Sequence, residues 1–79
     1  MHMERTIAYY LKGSEDFVSE YLVELEVADI SKIWEAEEGD KEYLNIYQVG
    51  AAQKAAVEKL LGEKLDLNKY DYYLETHQG

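Results

Sequence analysis

The chain has no cysteine, which removes disulfide bridges and thiolate metal sites together. Cations are scarce: eight Lys and Arg stand against 17 Asp and Glu, a formal net charge of −9. A nucleic-acid surface needs Lys and Arg to displace counterions from phosphates, so this balance argues against direct binding of DNA or RNA. Anionic membrane surfaces are disfavoured for the same reason. No apolar run approaches the about 18 residues of a membrane span, and MHMERT carries no apolar leader segment, so a cytoplasmic protein is expected. MHM ahead of Glu4 reads as a leftover of cloning, and His2 carries no functional weight.

Catalytic groups are equally sparse. His77 is the only histidine outside that leftover and is the third residue from the C-terminal end, where chains usually fray. Nucleophilic catalysis needs an activated Ser, Cys or Lys beside a base, usually His, and no such pairing is legible. The glycines stand singly at element boundaries, without a phosphate-cradling loop. EAEEGDKE, residues 35–42, concentrates five acids but lacks the regular odd-position ligand spacing of a calcium loop. No enzyme, metal site or cofactor is expected.

What is present is the material of one small folded domain spanning residues 1–79, with 47% apolar and 32% charged residues. A chain of this size buries about 60–65% of its unfolded surface, so its stability margin is thin. Eight of the ten aromatic residues are Tyr, whose apolar ring and polar tip suit half-buried positions and binding surfaces alike.

Periodicity supplies the elements. RTIAYYLKG places Ile7, Tyr9 and Leu11 on one face of a first strand, with Ala8 and Tyr10 on the other. GSEDF is rich in turn residues and leads into VSEYLVELEV, so a hairpin is expected. From Glu20 onward, Tyr21, Val23, Leu25 and Val27 fall on one side, and Glu20, Leu22, Glu24 and Glu26 on the other. ADISKIWEAEEGD predicts a helix with Asp29 as N-cap, an Ile30, Ile33 and Trp34 face, and Gly39 as its stop. Residues 43–49 predict a third strand. GAAQKAAVEKLLG predicts a second helix ending at Gly62, with Ala56, Val57, Leu60 and Leu61 as its apolar stripe. KYDYYLETH predicts a last strand with Tyr70, Tyr72 and Leu74 opposing Asp71, Tyr73 and Glu75. The fold class is α+β: a small antiparallel four-stranded sheet with two short helices on one face, in the order ββαβαβ. Strand order stays open.

If the helices cover the Leu74 face, then Asp71, Tyr73 and Glu75 look outward beside Glu20, Glu24 and Glu26. Glu15 and Asp16 in the turn extend the patch. Aromatic anchors ringed by carboxylates suit recognition of a basic protein, with aromatics as contact anchors and carboxylates speeding encounter. A plainer explanation is that Tyr favours exposed strands and acids favour solubility.

A strand, then KGSEDFVSEY and an acidic strand, is similar to the opening of the cloacin-type immunity proteins of bacteria. LDLNKYDYYLE resembles that family's last strand, and both ends also look like a further group of small bacterial domains. The likeness covers about the first 25 and last 15 residues; the alanine-rich middle departs from it. It implies a small acidic antiparallel-sheet protein that neutralises a bacteriocin's ribonuclease domain. The expected function is therefore binding and neutralising a basic toxin, a nuclease. The alternative is a non-enzymatic regulatory or structural module acting through homodimerisation.

Overall fold

Segments that alternate apolar and polar residues can bury one side only, and they do so here in a single sheet. The computed structural model describes residues 3–78, in the order β1 (Met3–Leu11), β2 (Phe17–Val23), α1 (Val27–Ile30), β3 (Tyr47–Gln48), α2 (Ala51–Leu61) and β4 (Tyr70–Gln78). The strands lie in the order β2-β1-β4-β3, and every pair is antiparallel. The two central strands, β1 and β4, join the two ends of the chain with Ile7 opposite Leu74 and Tyr9 opposite Tyr72. Met3 is the first residue of β1, opposite Gln78. Met1 and His2, the rest of the supposed cloning leftover, lie outside the described residues.

One face of the sheet is closed. Ile7, Tyr72, Leu74, Val23 and Tyr47 pack there with Ile30 of α1, Val57 of α2 and the loop residues Trp34, Tyr43, Val49 and Leu65. Tyr9 stacks on Tyr21 at 5.7 Å and on Tyr72 at 5.1 Å between ring centres. Six of the eight tyrosines thus belong to or pack against the core. Their hydroxyls are matched where burial demands it: Tyr43 donates to the Trp34 carbonyl, and Tyr72 accepts from the Asp66 N–H.

The segment between α1 and α2 differs most from expectation. The first helix is a single turn capped by Glu26, not Asp29; the Asp29 carboxylate instead accepts the Glu26 N–H. Glu35, Glu37 and Glu38 would sit at the C-terminal end of a longer helix, where the dipole disfavours carboxylates, and Trp34 turns to donate its indole N–H to the Gln48 carbonyl. The third strand shrinks from seven expected residues to two. Asp40 is the cause: its carboxylate accepts from the Leu44 and Asn45 N–H groups and from the Tyr47 hydroxyl. Those amides are therefore unavailable to a ladder. Buried Arg5 fastens the same loop by donating to the carbonyls of Tyr43 and Glu42 and to the Thr76 hydroxyl. Burial alone would raise the Asp40 carboxyl, but the Tyr47 hydroxyl, the two amides and the charge of Arg5 hold it below its ordinary value.

α2 runs as its residues predict, from an N-cap at Gly50 to Gly62 in the left-handed conformation with φ 68°. Its buried stripe is narrower than expected, since Val57 and Leu61 point inward while Ala56 and Leu60 remain exposed. After α2, Glu58 accepts the Leu65 N–H at 2.7 Å and ties the connector back to the helix. Among the described residues, no helix is long and apolar enough to cross a membrane.

Candidate interaction face

Among the described residues, no helix packs on the second face of the sheet. Its positions follow from the register: Thr6 lies between Leu22 and Glu75, Ala8 between Glu20 and Tyr73, and Tyr10 between Phe17 and Asp71. Thr6 and Ala8 form a buried floor, the Thr6 hydroxyl oxygen without a partner. Larger side chains stand around that floor.

A β-bulge shapes this face. Tyr9 pairs with Ser19 but Tyr10 pairs with Phe17, so β2 has one extra residue, Val18, at that point. Strict alternation would put Phe17 on the side of Ser19 and Tyr21. The bulge instead presents it to Tyr10, edge to face at 5.7 Å, while Tyr10 meets Tyr73 edge to face at 5.8 Å. Phe17 is 56% exposed and Leu22 70% exposed. Ile46, on the loop before β3, is 61% exposed and lines a recess with Tyr10 and Tyr73. These are large apolar side chains on an uncovered surface, an arrangement that marks interaction sites more often than single scattered residues do.

The expected acidic residues divide into three groups. Glu20, Tyr73 and Glu75 share this face, and Glu15 of the hairpin turn lines the recess beside Tyr10, Tyr73 and Glu75. Asp71 shares the face too but is engaged at its end: it accepts the Gly13 N–H at 3.1 Å and pairs with Lys12 at 3.2 Å. The Gly13 amide and then Lys12 hold its carboxyl below the ordinary value. Asp16 closes the same turn through its backbone, donating its N–H to Ser14 Oγ.

Glu24 and Glu26 are the correction. β2 ends at Val23, so neither continues the row that Glu20 begins. Glu24 lies beyond the strand end and Glu26 caps α1. The alternation of Leu25 and Val27 with the two acids therefore does not belong to a strand: Leu25 packs against the core and Val27 opens the helix. Three like charges aligned on one rigid strand do not occur.

Sequence reasoning placed Leu22 beside Glu20 and Tyr10 beside Ala8 without counting either among the binding residues, and it missed Phe17 and Ile46 as members of this face altogether. The pairing Tyr10–Glu75 was equally hidden: the Tyr10 hydroxyl donates to Glu75 Oε2 at 2.8 Å across the sheet. That bond, burial, and the charges of Glu75 and Glu20 raise the Tyr10 phenol above its ordinary value, keeping it a protonated donor. Glu75 Oε1 lies 3.6 Å from His77 Nε2. Tyr10 and its partner are far apart in sequence, and only the central β1–β4 pairing joins them.

The depressed Asp71 carboxyl has a measurable consequence. Its stabilising effect is fully present above its unfolded value of about 4 and fades as pH falls through the lower folded value. Asp71→Asn is therefore expected to unfold at lower urea than the parent at pH 7, and the gap should narrow on acidification to about pH 3. A gap independent of pH would mean that the Lys12 and Gly13 contacts do not depend on the carboxylate charge.

A family model described as "Domain of unknown function (DUF7683)" matches residues 4–75. The match spans nearly the whole chain, so the chain belongs to that family. No curated protein and no solved structure matches it.

Proposed function

We propose that this DUF7683 domain is an immunity-type inhibitor that binds and neutralises a basic bacterial toxin, a nuclease, through its uncovered sheet face. The observation that carries this is the aromatic group of Tyr10, Phe17 and Tyr73 standing on that face among the carboxylates of Glu15, Glu20 and Glu75. A nuclease holds an anionic backbone with Lys and Arg. An inhibitor that presents carboxylates where phosphates would sit gains association rate and specificity. An ordinary interface of about 800 Å² per partner would cover roughly a seventh of the 5465 Å² surface. The likeness of the terminal segments to cloacin-type immunity proteins supports the same assignment and an action in the cytoplasm.

In this assignment Glu20, Glu15 and Glu75 provide charge and Tyr73, Tyr10 and Phe17 provide contact. Asp71 orders the hairpin turn that carries Glu15, since its partners are Lys12 and Gly13. Glu24 and Glu26 contribute only to the general acidic field. Binding needs no cofactor and no bond-making step.

The deciding experiment is growth rescue. The basic protein encoded beside this chain, produced alone in a bacterial host, should halt growth; co-production of this chain should restore it. The two should also co-purify at low salt and separate less readily than simple ion exchange predicts, because aromatic contacts survive salt. A neighbour that is harmless, or an arrest that this chain does not relieve, would overturn the assignment.

One observation favours a second reading. β2 is an edge strand of seven residues, most of them exposed, and such an edge can pair with a copy of itself. Glu20 on each copy opposes that pairing. Sedimentation over a concentration series separates the two: a dimer that persists on dilution favours self-association, and a monomer favours the inhibitor.

A further inference from the structure

The recess on the open face is too specific in its lining to be only a dip in a contact surface. Tyr10, Ser14, Glu15, Ile46, Tyr73 and Glu75 enclose about 220 Å³. That is below the roughly 300–1,000 Å³ of pockets that take whole small molecules, and it is the scale of a single long side chain. Its walls are the two tyrosine rings, set at 69° to one another, and the exposed Ile46 side chain. Besides the tyrosine hydroxyls, its polar groups are two carboxylates and the Ser14 hydroxyl; among the described residues, no cation lines it.

We propose that this recess receives one arginine side chain of the partner, with its guanidinium against the ring of Tyr73 or Tyr10 and its N–H groups on Glu75 and Glu15. The proposal rests on the assignment of the open face as the partner-binding surface and names the group that enters it. Glu75 is prepared for the role. The Tyr10 hydroxyl occupies part of Oε2 and fixes the carboxylate, while the two oxygens of one carboxylate offer about four acceptor sites in all. The contact from His77 to Oε1, at 3.6 Å, is too long for a hydrogen bond, so acceptor capacity remains. Glu15 stands on the hairpin turn that Asp71 holds against β4 through Gly13 and Lys12. A second carboxylate thus reaches the rim from a braced loop rather than a loose one.

Arginine fits these walls better than lysine. Its guanidinium is planar, stacks on aromatic faces, and is less strongly hydrated than an ammonium; it also bonds carboxylates through two parallel N–H groups. The tyrosine rings add a cation–π attraction. An anionic group would face Glu75 with like charge, and a purely apolar one would cover its remaining acceptor sites without a donor, a desolvation cost on either count.

The test uses blocked amino acids as probes on the full chain. Backbone amide shifts are followed by NMR during titration with N-acetyl-arginine-N-methylamide, its lysine counterpart, and its citrulline counterpart, which keeps arginine's shape without its charge. Arginine should move the amides of Tyr10, Ile46 and Tyr73 selectively, with an affinity about tenfold above citrulline and above lysine. Glu75→Gln should abolish that advantage, and Tyr73→Leu, which keeps an apolar wall, should weaken it several-fold; unchanged melting temperatures show that both variants fold. Equal responses to arginine and citrulline, or shifts scattered over every carboxylate, would overturn the proposal. Growth rescue separates its failure from that of the parent assignment. Rescue kept in full by Tyr73→Leu and Glu75→Gln overturns the arginine recess while the open face stands as the binding surface. Rescue lost with these two, while a Gln48→Ala change at the margin of the face keeps it, supports the recess.

Discussion

Leu74→Ala is expected to lower the unfolding free energy by about 2–5 kcal/mol, against a total of about 4–12 kcal/mol for a chain of this length. Leu74 is fully buried at the centre of the closed face, opposite Ile7 on one side and Tyr47 on the other. Both neighbours are tied to the sheet by backbone ladders, and Ile30 and Val57 close the space from the helices. Such a site relaxes little around a cavity, which is the condition for the upper half of the range. Tyr73→Ala, one residue away on the open face, removes a larger side chain but leaves it to water, and should cost about 1 kcal/mol. Urea unfolding of the two variants checks both values, with the slope expected to stay near the parent's. Equal losses would show that the second face is covered in solution as well as the first.

If the open face binds a basic toxin as proposed, reversal of Glu15 and Glu20 to Lys together is expected to slow association with it by about 10- to 100-fold at low salt. Each change adds two charges, so the net charge moves from −9 by +4 to −5. The effect is disproportionate to that total because both residues border the aromatic group rather than being spread over the surface. Both side chains are exposed, so stability should change by less than about 0.5 kcal/mol. Reversal of Glu24 and Glu26 produces the same net charge from positions off the face, and should slow association several-fold less. Stopped-flow rates at about 50 mM and about 300 mM salt, a range over which screening changes strongly, supply the comparison. Identical rates for the two double variants would reduce the effect to net charge and remove the open face from recognition.

The contrast between these pairs shows where alternation holds as a guide. It places Glu20, Tyr73 and Glu75 on one face correctly, because all three lie inside strands where side-chain parity is obligatory. Glu24 and Glu26 continue the same written pattern, yet the chain has already left the sheet at Val23 and turned into α1. Nothing local distinguishes Glu24 from Glu20. β1 itself runs on to Met3, so β2 does not end for want of a neighbour; it leaves the sheet after Val23, where Leu25 turns to the core and Glu26 caps α1.

Asp40 and Phe17 are the two residues whose roles depend most on tertiary structure. In sequence, Asp40 is one acid among five in EAEEGDKE; in the fold it is buried and organises the loop that would otherwise extend β3. Phe17 reads as the last residue of the turn; in the fold it opens β2, and one bulged residue turns it to the face of Tyr10. The sequence by itself determined the element order, the parity of β1 and β4, the limits of α2 between Gly50 and Gly62, and the acidic character of the surface. Each of these rests on contacts or conformations within a few residues. Strand order, the end of β2, the bulge, the capture of the 40–45 loop by Arg5 and Asp40, and the pairing of Tyr10 with Glu75 were decided only by the tertiary structure. Their energies come from groups 4 to 71 residues apart, and no local pattern encodes which of those groups will meet.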